Sequence, residues 1–92
     1  MYLRVTRGRV DPAKSEEAIR LVPPIMAAIR LLPGCREAHT GIDRATGESI
    51  SISNFETLEQ AQFSRDLLGG AIAPLLALGW QGDPAEIYEK TE

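Results

Sequence analysis

Residues Glu48–Phe55, ESISISNF, set isoleucine against serine in strict alternation: Ile50 and Ile52 fall on one side, Ser49, Ser51 and Ser53 on the other. A period of two is the signature of a β-strand whose two faces meet different surroundings. The flanks agree. Arg44-Ala45-Thr46-Gly47 reads as a turn before the strand, and Thr57 and Gln60 stand after it at capping-box spacing. A second strand is therefore expected ahead of the turn, over Cys35–Asp43 (CREAHTGID). A helix is expected after it, over Glu56–Leu68, with Leu58, Ala61, Leu67 and Leu68 on the buried side.

Further upstream, Pro33-Gly34 ends a segment whose apolar residues recur at helical spacing from Ala18 to Leu32. Asp11 suits its N-cap and Pro12 its first position, where a missing N–H costs nothing. Pro23 and Pro24 lie inside the pattern and predict a kink or two short helices. Before them, YLRVTRGRV (2–10) alternates as a strand. Downstream, Gly69-Gly70 interrupts the second helix, AIAPLLAL (71–78) adds a turn or two, and WQGDPAEIYE (80–89) finishes as a strand bent at Asp83-Pro84.

The order strand, helix, strand, strand, helix, strand predicts an α+β, ferredoxin-like βαββαβ domain. Right-handed crossovers place both helices on one face of a four-stranded antiparallel sheet. Leu3, Val5, Ile50, Ile52 and Ile87 are expected to face the helices. Tyr2, Arg4, Thr6, the serines, Phe55 and Tyr88 are expected on the bare face. A bare face of mixed character needs cover, and a second copy of the chain is the expected partner.

Ninety-two residues suffice for a single domain, 1–92, burying about 60–65% of the unfolded surface. A net charge of −3 argues against nucleic acid, which wants a basic footprint. The longest weakly charged run, LLGGAIAPLLALGW (67–80), is too short and too broken to span a membrane. Arginines near the start exclude a secretory signal there, and the lone Cys35 suits a reducing cytoplasm.

Leu32-Pro33-Gly34, Thr46-Gly47 and the run Phe55-Glu56-Thr57-Leu58-Glu59-Gln60-Ala61 resemble the antibiotic biosynthesis monooxygenase-like group of dimeric α+β barrel proteins. The resemblance spans about a third of the chain by motif and all of it by element order. It implies a homodimer with a ligand cavity near the barrel. It also implies a repertoire of cofactor-free oxygenases, haem-degrading enzymes, isomerases and proteins without assigned activity. Haem-degrading members use a helix-borne histidine, whereas the only histidine here, His39, falls in an expected strand. Asn54 and Trp80 are residue types that such oxygenases place in their pockets.

Cys35 and His39 invite a catalytic reading that the strand rejects. At i and i+4 in extended chain they stand about 13 Å apart, far beyond the ~3 Å of a thiolate–imidazole hydrogen bond. In a regular strand Cys35, Glu37 and His39 share one face. Glu37 and His39 have metal-ligand spacing but no third ligand, so no metal is expected. Cys35 then reads as a small apolar group and His39 as a polar surface or interface residue. The bare face groups Arg4, Thr6, Glu37, His39, Ser51 and Tyr88, and dehydration by a partner would shift their proton affinities. No Gly-rich phosphate loop or Ser–His–Asp order appears. Trp80 either plugs the end of the barrel or stacks on a flat ligand.

Two functions follow. The first is a homodimeric, cofactor-independent monooxygenase or isomerase for a small hydrophobic or aromatic compound. One of His39, Glu37 or Tyr88 would handle the proton, and Arg4, Thr6, Ser51, Asn54 and Trp80 would bind the ligand. The second is a non-catalytic, small-molecule-binding or stress-associated dimeric module. A ferredoxin-like regulatory domain is a third, weaker alternative.

Overall fold

The computed structural model describes all 92 residues. Strand β1 (Tyr2–Arg9) leads through a 3-10 turn (Pro12–Lys14) into helix α1 (Ser15–Arg30). Strands β2 (Cys35–Ile42) and β3 (Glu48–Phe55) follow, then helix α2 (Leu58–Ala61), a 3-10 segment (Arg65–Ala71) and helix α3 (Ala73–Ala77). The final strand is split into β4 (Gln81–Gly82) and β5 (Glu86–Glu89), because Asp83-Pro84-Ala85 leaves the ladder. The division makes five strands of the expected four. All pairings are antiparallel, in the order β2-β3-β1, with β4 and β5 both on the far side of β1.

The local signals act as their chemistry dictates. Asp11 caps the 3-10 turn, its carboxylate accepting from the Ala13 N–H at 2.9 Å, with Pro12 in the first position. Thr57 and Gln60 complete a reciprocal capping box at α2. Helix α1 departs from expectation by running unbroken through Pro23 and Pro24. Both prolines lie on its exposed side. They withhold the N–H groups that would bond the carbonyls of Ile19 and Arg20. Ala18, Ile25, Met26 and Ile29 meanwhile carry the packing across the break.

The sheet's faces are the reverse of the expected assignment. Residues directly opposed in an antiparallel pair share a face. One face joins Arg4, Ala38 and Ser53, then Thr6, Thr40 and Ser51, then Gly8, Ile42 and Ser49. This is the helix side. Ala38 belongs to the core with Val10, Ile25, Met26, Ile29 and Leu75, and Phe55 is wholly buried there. The other face carries Leu3, Val5, Ile50 and Ile52 and has no layer over it. Ile87 faces the helices opposite Arg4, and Tyr88 lies on the outer face opposite Leu3, both as expected. Alternation fixes which residues travel together, not which side meets the helices.

A bulge corrects one more expectation. Cys35 pairs with Phe55, whereas Glu37 pairs with Asn54, so Arg36 is the extra residue. Cys35 turns to the helices and Glu37 and His39 turn outward.

Trp80 closes one end of the layered structure. A Cβ on either Gly8 or Gly82 would fall inside the van der Waals envelope of its ring, so the indole lies flat on two bare backbones. Its Nε1–H donates to Ser49 Oγ at 3.1 Å. Gly8→Ala is expected to destabilise the fold by about 1–3 kcal/mol through overpacking. A thermal melt followed by far-ultraviolet circular dichroism checks this, with partial recovery when Trp80→Phe, at the sole tryptophan, is added.

A candidate ligand cavity between helices and sheet

The serine-bearing face does not meet the helices in dry contact. Between them lies a cavity of about 590 Å³, within the range of small-molecule sites. Helix α1 supplies an apolar wall through Ile25, Met26 and Ile29, and Leu68 and Leu75 extend it. The sheet supplies hydroxyls from Thr6, Thr40, Ser49, Ser51 and Ser53. Ser49 is engaged by Trp80, and Thr40 donates to the Ile50 carbonyl at 3.0 Å. The remaining hydroxyls are available to a ligand.

Arg4 shapes the third wall. One nitrogen, Nη1, donates to the carbonyls of Ala61 at 2.9 Å and Phe63 at 2.8 Å. Its guanidinium stacks 3.9 Å from the centroid of Phe63, which packs in turn against Phe55 at 5.5 Å. This clamp explains why α2 stops after one turn, where the sequence suggested a helix to Leu68. The Ala61 carbonyl, which a continuing helix would bond to residue 65, is taken by a side chain from the sheet. The chain instead leaves through Phe63 and restarts at Ser64, whose hydroxyl accepts from the Asp66 N–H at 3.3 Å. Arg65, in the restarted segment, also lines the cavity, 5.4 Å from the Trp80 ring centroid. Burial, and then the like charge of Arg65, lower the Arg4 pKa from the usual guanidinium value.

Among the residues singled out in the sequence, Arg4, Thr6, Ser51 and Trp80 line this cavity. Asn54, Glu37, His39 and Tyr88 stand on the outer face. Asn54 is 6% exposed and its Oδ1 has no donor. His39 Nε2 and Glu37 Oε2 are 3.7 Å apart in the open. The Tyr88 hydroxyl donates to Glu86, which raises the Tyr88 pKa. The Glu86 carboxyl is lowered by the same bond and by Arg7. Cys35, packed beside the core, has its thiol pKa pushed up by burial, against smaller opposing effects of the Glu37 backbone and Arg30. Sequence reasoning missed Arg65 and Phe63, which it placed inside a continuous helix. Their only signal was Ser64 followed two residues on by Asp66, an N-cap pattern hidden inside the helical reading.

No protein-family model matches the chain, and no curated protein is similar to it. Solved structures share its fold over nearly its whole length. A candidate antibiotic biosynthesis monooxygenase from Deinococcus radiodurans superimposes with a TM-score of 0.76 at 19% identity, covering 100% of this chain and 94% of that one. SnoaB, a cofactor-independent oxygenase from Streptomyces nogalater, gives 0.67 at 15% identity, covering 99% and 93%. The monooxygenase from the gene ActVA-Orf6 of Streptomyces coelicolor, in complex with nanaomycin D, gives 0.63 at 16%, covering 99% and 88%. The fold is thus that of the antibiotic biosynthesis monooxygenase-like structures. No helix is long and apolar enough to cross a membrane.

Arg4→Met is expected to destabilise the chain by about 1–3 kcal/mol, because it strands carbonyl acceptors in a half-buried place. Arg4→Lys, which keeps one donor there, is expected to lose less. Urea midpoints of the two variants against the parent chain decide.

Proposed function

We propose that this protein is a small homodimeric, cofactor-independent monooxygenase acting on a hydrophobic aromatic compound held in the cavity. The observation that carries the reading is the cavity itself: an apolar wall from α1 faces a wall of hydroxyls, with cationic Arg4 beside them. Such a site takes a flat apolar body and grips its oxygens. The likeness in fold to SnoaB and to the ActVA-Orf6 protein supports it by analogy. The reaction balances with dioxygen as the oxidant. A phenolic ring C–H, or the methylene of an anthrone, becomes a carbonyl, and the second oxygen atom leaves as water. In the cavity Arg4 stabilises the phenolate or enolate from which electrons pass to oxygen. The hydroxyls of Thr6, Ser51 and Ser53 orient the ring. His39, Glu37 and Tyr88 lie outside this cavity, so any proton they move belongs to a site closed by the second copy. The lone thiol suits a reducing compartment, and we place the protein in the cytoplasm.

A second reading, a non-catalytic ligand-binding module, has its own observation. The cavity lining contains no histidine, and its one carboxylate, Asp83, is paired with Arg9. Oxygen uptake with anthrone and a panel of hydroquinones separates the two. Uptake above the protein-free rate, matched by water-producing stoichiometry, is expected. Binding without uptake selects the second reading.

The dimer rests on the outer face. Leu3, Val5, Ile50 and Ile52 form its apolar centre, with Ile52 38% exposed, and Arg7, Glu37, His39, Glu86 and Tyr88 form its rim. An apolar centre within a polar rim is the anatomy of an interface. Asn54 Oδ1 adds a buried acceptor awaiting a donor. Sedimentation is expected to give twice 10.1 kDa for the parent chain and 10.1 kDa for Ile52→Asp. A parent chain that stays monomeric at micromolar concentration refutes this interface.

A further inference from the structure

His39 is the only imidazole in the chain, and the fold sets it on the outer face of edge strand β2, directly opposite Ile52. Its Nε2 stands 3.7 Å from Glu37 Oε2, the two side chains being 73% and 68% exposed. No other cation lies within 4.0 Å of Glu37. The nearby arginines are committed elsewhere: Arg36 to Glu56, Arg7 to Glu86 and Arg9 to Asp83. Arg30 reaches β2 from α1, where it donates to the Ala38 carbonyl at 2.9 Å. Across the ladder Glu37 meets Asn54, whose buried Oδ1 is itself an acceptor without a donor. The Tyr88 hydroxyl, on β5, is given to Glu86. At the hairpin end Glu48 and Asp43 add two carboxylates with no cation within 4.0 Å. The ionisable groups around His39 are therefore paired or acidic, and His39 alone can supply a further positive charge. In the open, water screens such a pair and the proton changes little. Under cover, a carboxylate that loses its water without gaining a cation is costly.

We propose that protonation of His39 is a switch on self-association: two copies join through the outer face most tightly when both imidazoles carry a proton, and separate more readily as pH rises. This rests on the outer-face dimer proposed above and names its regulation. Covering Ile52 draws water from the His39–Glu37 pair beside it. Neutral His39 then leaves Glu37 uncompensated, whereas imidazolium answers it. The covered state holds the proton more firmly than the free face, so association takes up as many as two protons, one per copy. Its strength is full below the range in which imidazole titrates and is lost as pH climbs through that range.

The test is the dimer dissociation constant of the full chain, measured by sedimentation over a dilution series. Between about pH 5.5 and about pH 8.5 it is expected to rise about tenfold or more. His39→Gln, which keeps a neutral polar group, is expected to hold within about twofold over that range, near the parent's high-pH value. Glu37→Gln removes the charge that the proton answers. It is expected to associate more tightly than the parent at high pH and to lose the tightening at low pH. Should the parent stay dimeric on dilution, the same series is read on Ile52→Ala, whose trimmed interface brings the constant into range. A constant that is flat, or that falls as pH rises, overturns the switch and leaves the interface standing. A slope that survives in His39→Gln overturns it too, because another group then carries the proton. So does a Glu37→Gln dimer weaker than the parent at high pH, since the carboxylate then has a partner across the interface. A parent chain that is monomeric throughout removes the interface and the switch together.

Discussion

A guanidinium reaching from the central strand into the helical layer governs how this small domain is built. Arg4 rises from β1, takes the carbonyls of Ala61 and Phe63, and lies on the Phe63 ring. Each contact is modest alone. A hydrogen bond from a charged donor contributes about 1.5–3 kcal/mol, and a part-exposed cation–π contact about 0.5–1 kcal/mol. Their joint effect is topological. The second helical segment ends after Ala61, turns inward at Phe63 and resumes at Arg65, instead of lying along the sheet as one rod. A continuous helix there would press its apolar side onto the serines of β3. The interruption holds it off, and the space becomes the cavity.

Trp80 does the corresponding work at the opposite end. Its ring needs two glycines on adjacent strands, Gly8 and Gly82, which face each other in the β1–β4 pair. With the indole N–H bonded to Ser49, the side chain is fixed by contact on one side and by a hydrogen bond on another. Of the two roles open for Trp80 from sequence, plug or stacking platform for a flat ligand, the geometry fits the plug. The ring seals the layer, lines the cavity and lies under the Arg65 guanidinium.

Much of this was legible in the residues. The alternation in Glu48–Phe55, the Asp11-Pro12 start, the Leu32-Pro33-Gly34 stop and the Thr57–Gln60 box are local signals, and local chemistry settles them. The sidedness of the sheet was not legible. The habit of sending isoleucine towards the helices fails because the helices supply the apolar surface and the serines line a cavity, where hydroxyls stay satisfied by whatever fills it. The Arg36 bulge was hidden as well, since an extra strand residue leaves no compositional trace, and it moved Glu37 and His39 away from Cys35. Arg4, Thr6, Ser51 and Trp80 reached the cavity although the face was misassigned, because period two keeps such residues together whichever way the strand is turned.

The reversal also changes what holds the domain together. An ordinary two-layer α+β domain buries the greasy face of its sheet under its own helices and shows the polar face to water. Here the polar face is inside, around a space, and the apolar face is outside. The interior is therefore under-filled for a chain of this size, and the apolar surface that would compensate lies where only another molecule can cover it. Leu3, Val5, Ile50 and Ile52 on one side of β1 and β3, and Arg4, Thr6, Ser51 and Ser53 on the other, alternate along the same two strands. Covering the outer set stiffens the backbone that aims the inner set. In the proposed dimer, association and ligand binding would draw on the two faces of one pair of strands, and the rigidity of the site would depend on what covers the sheet behind it.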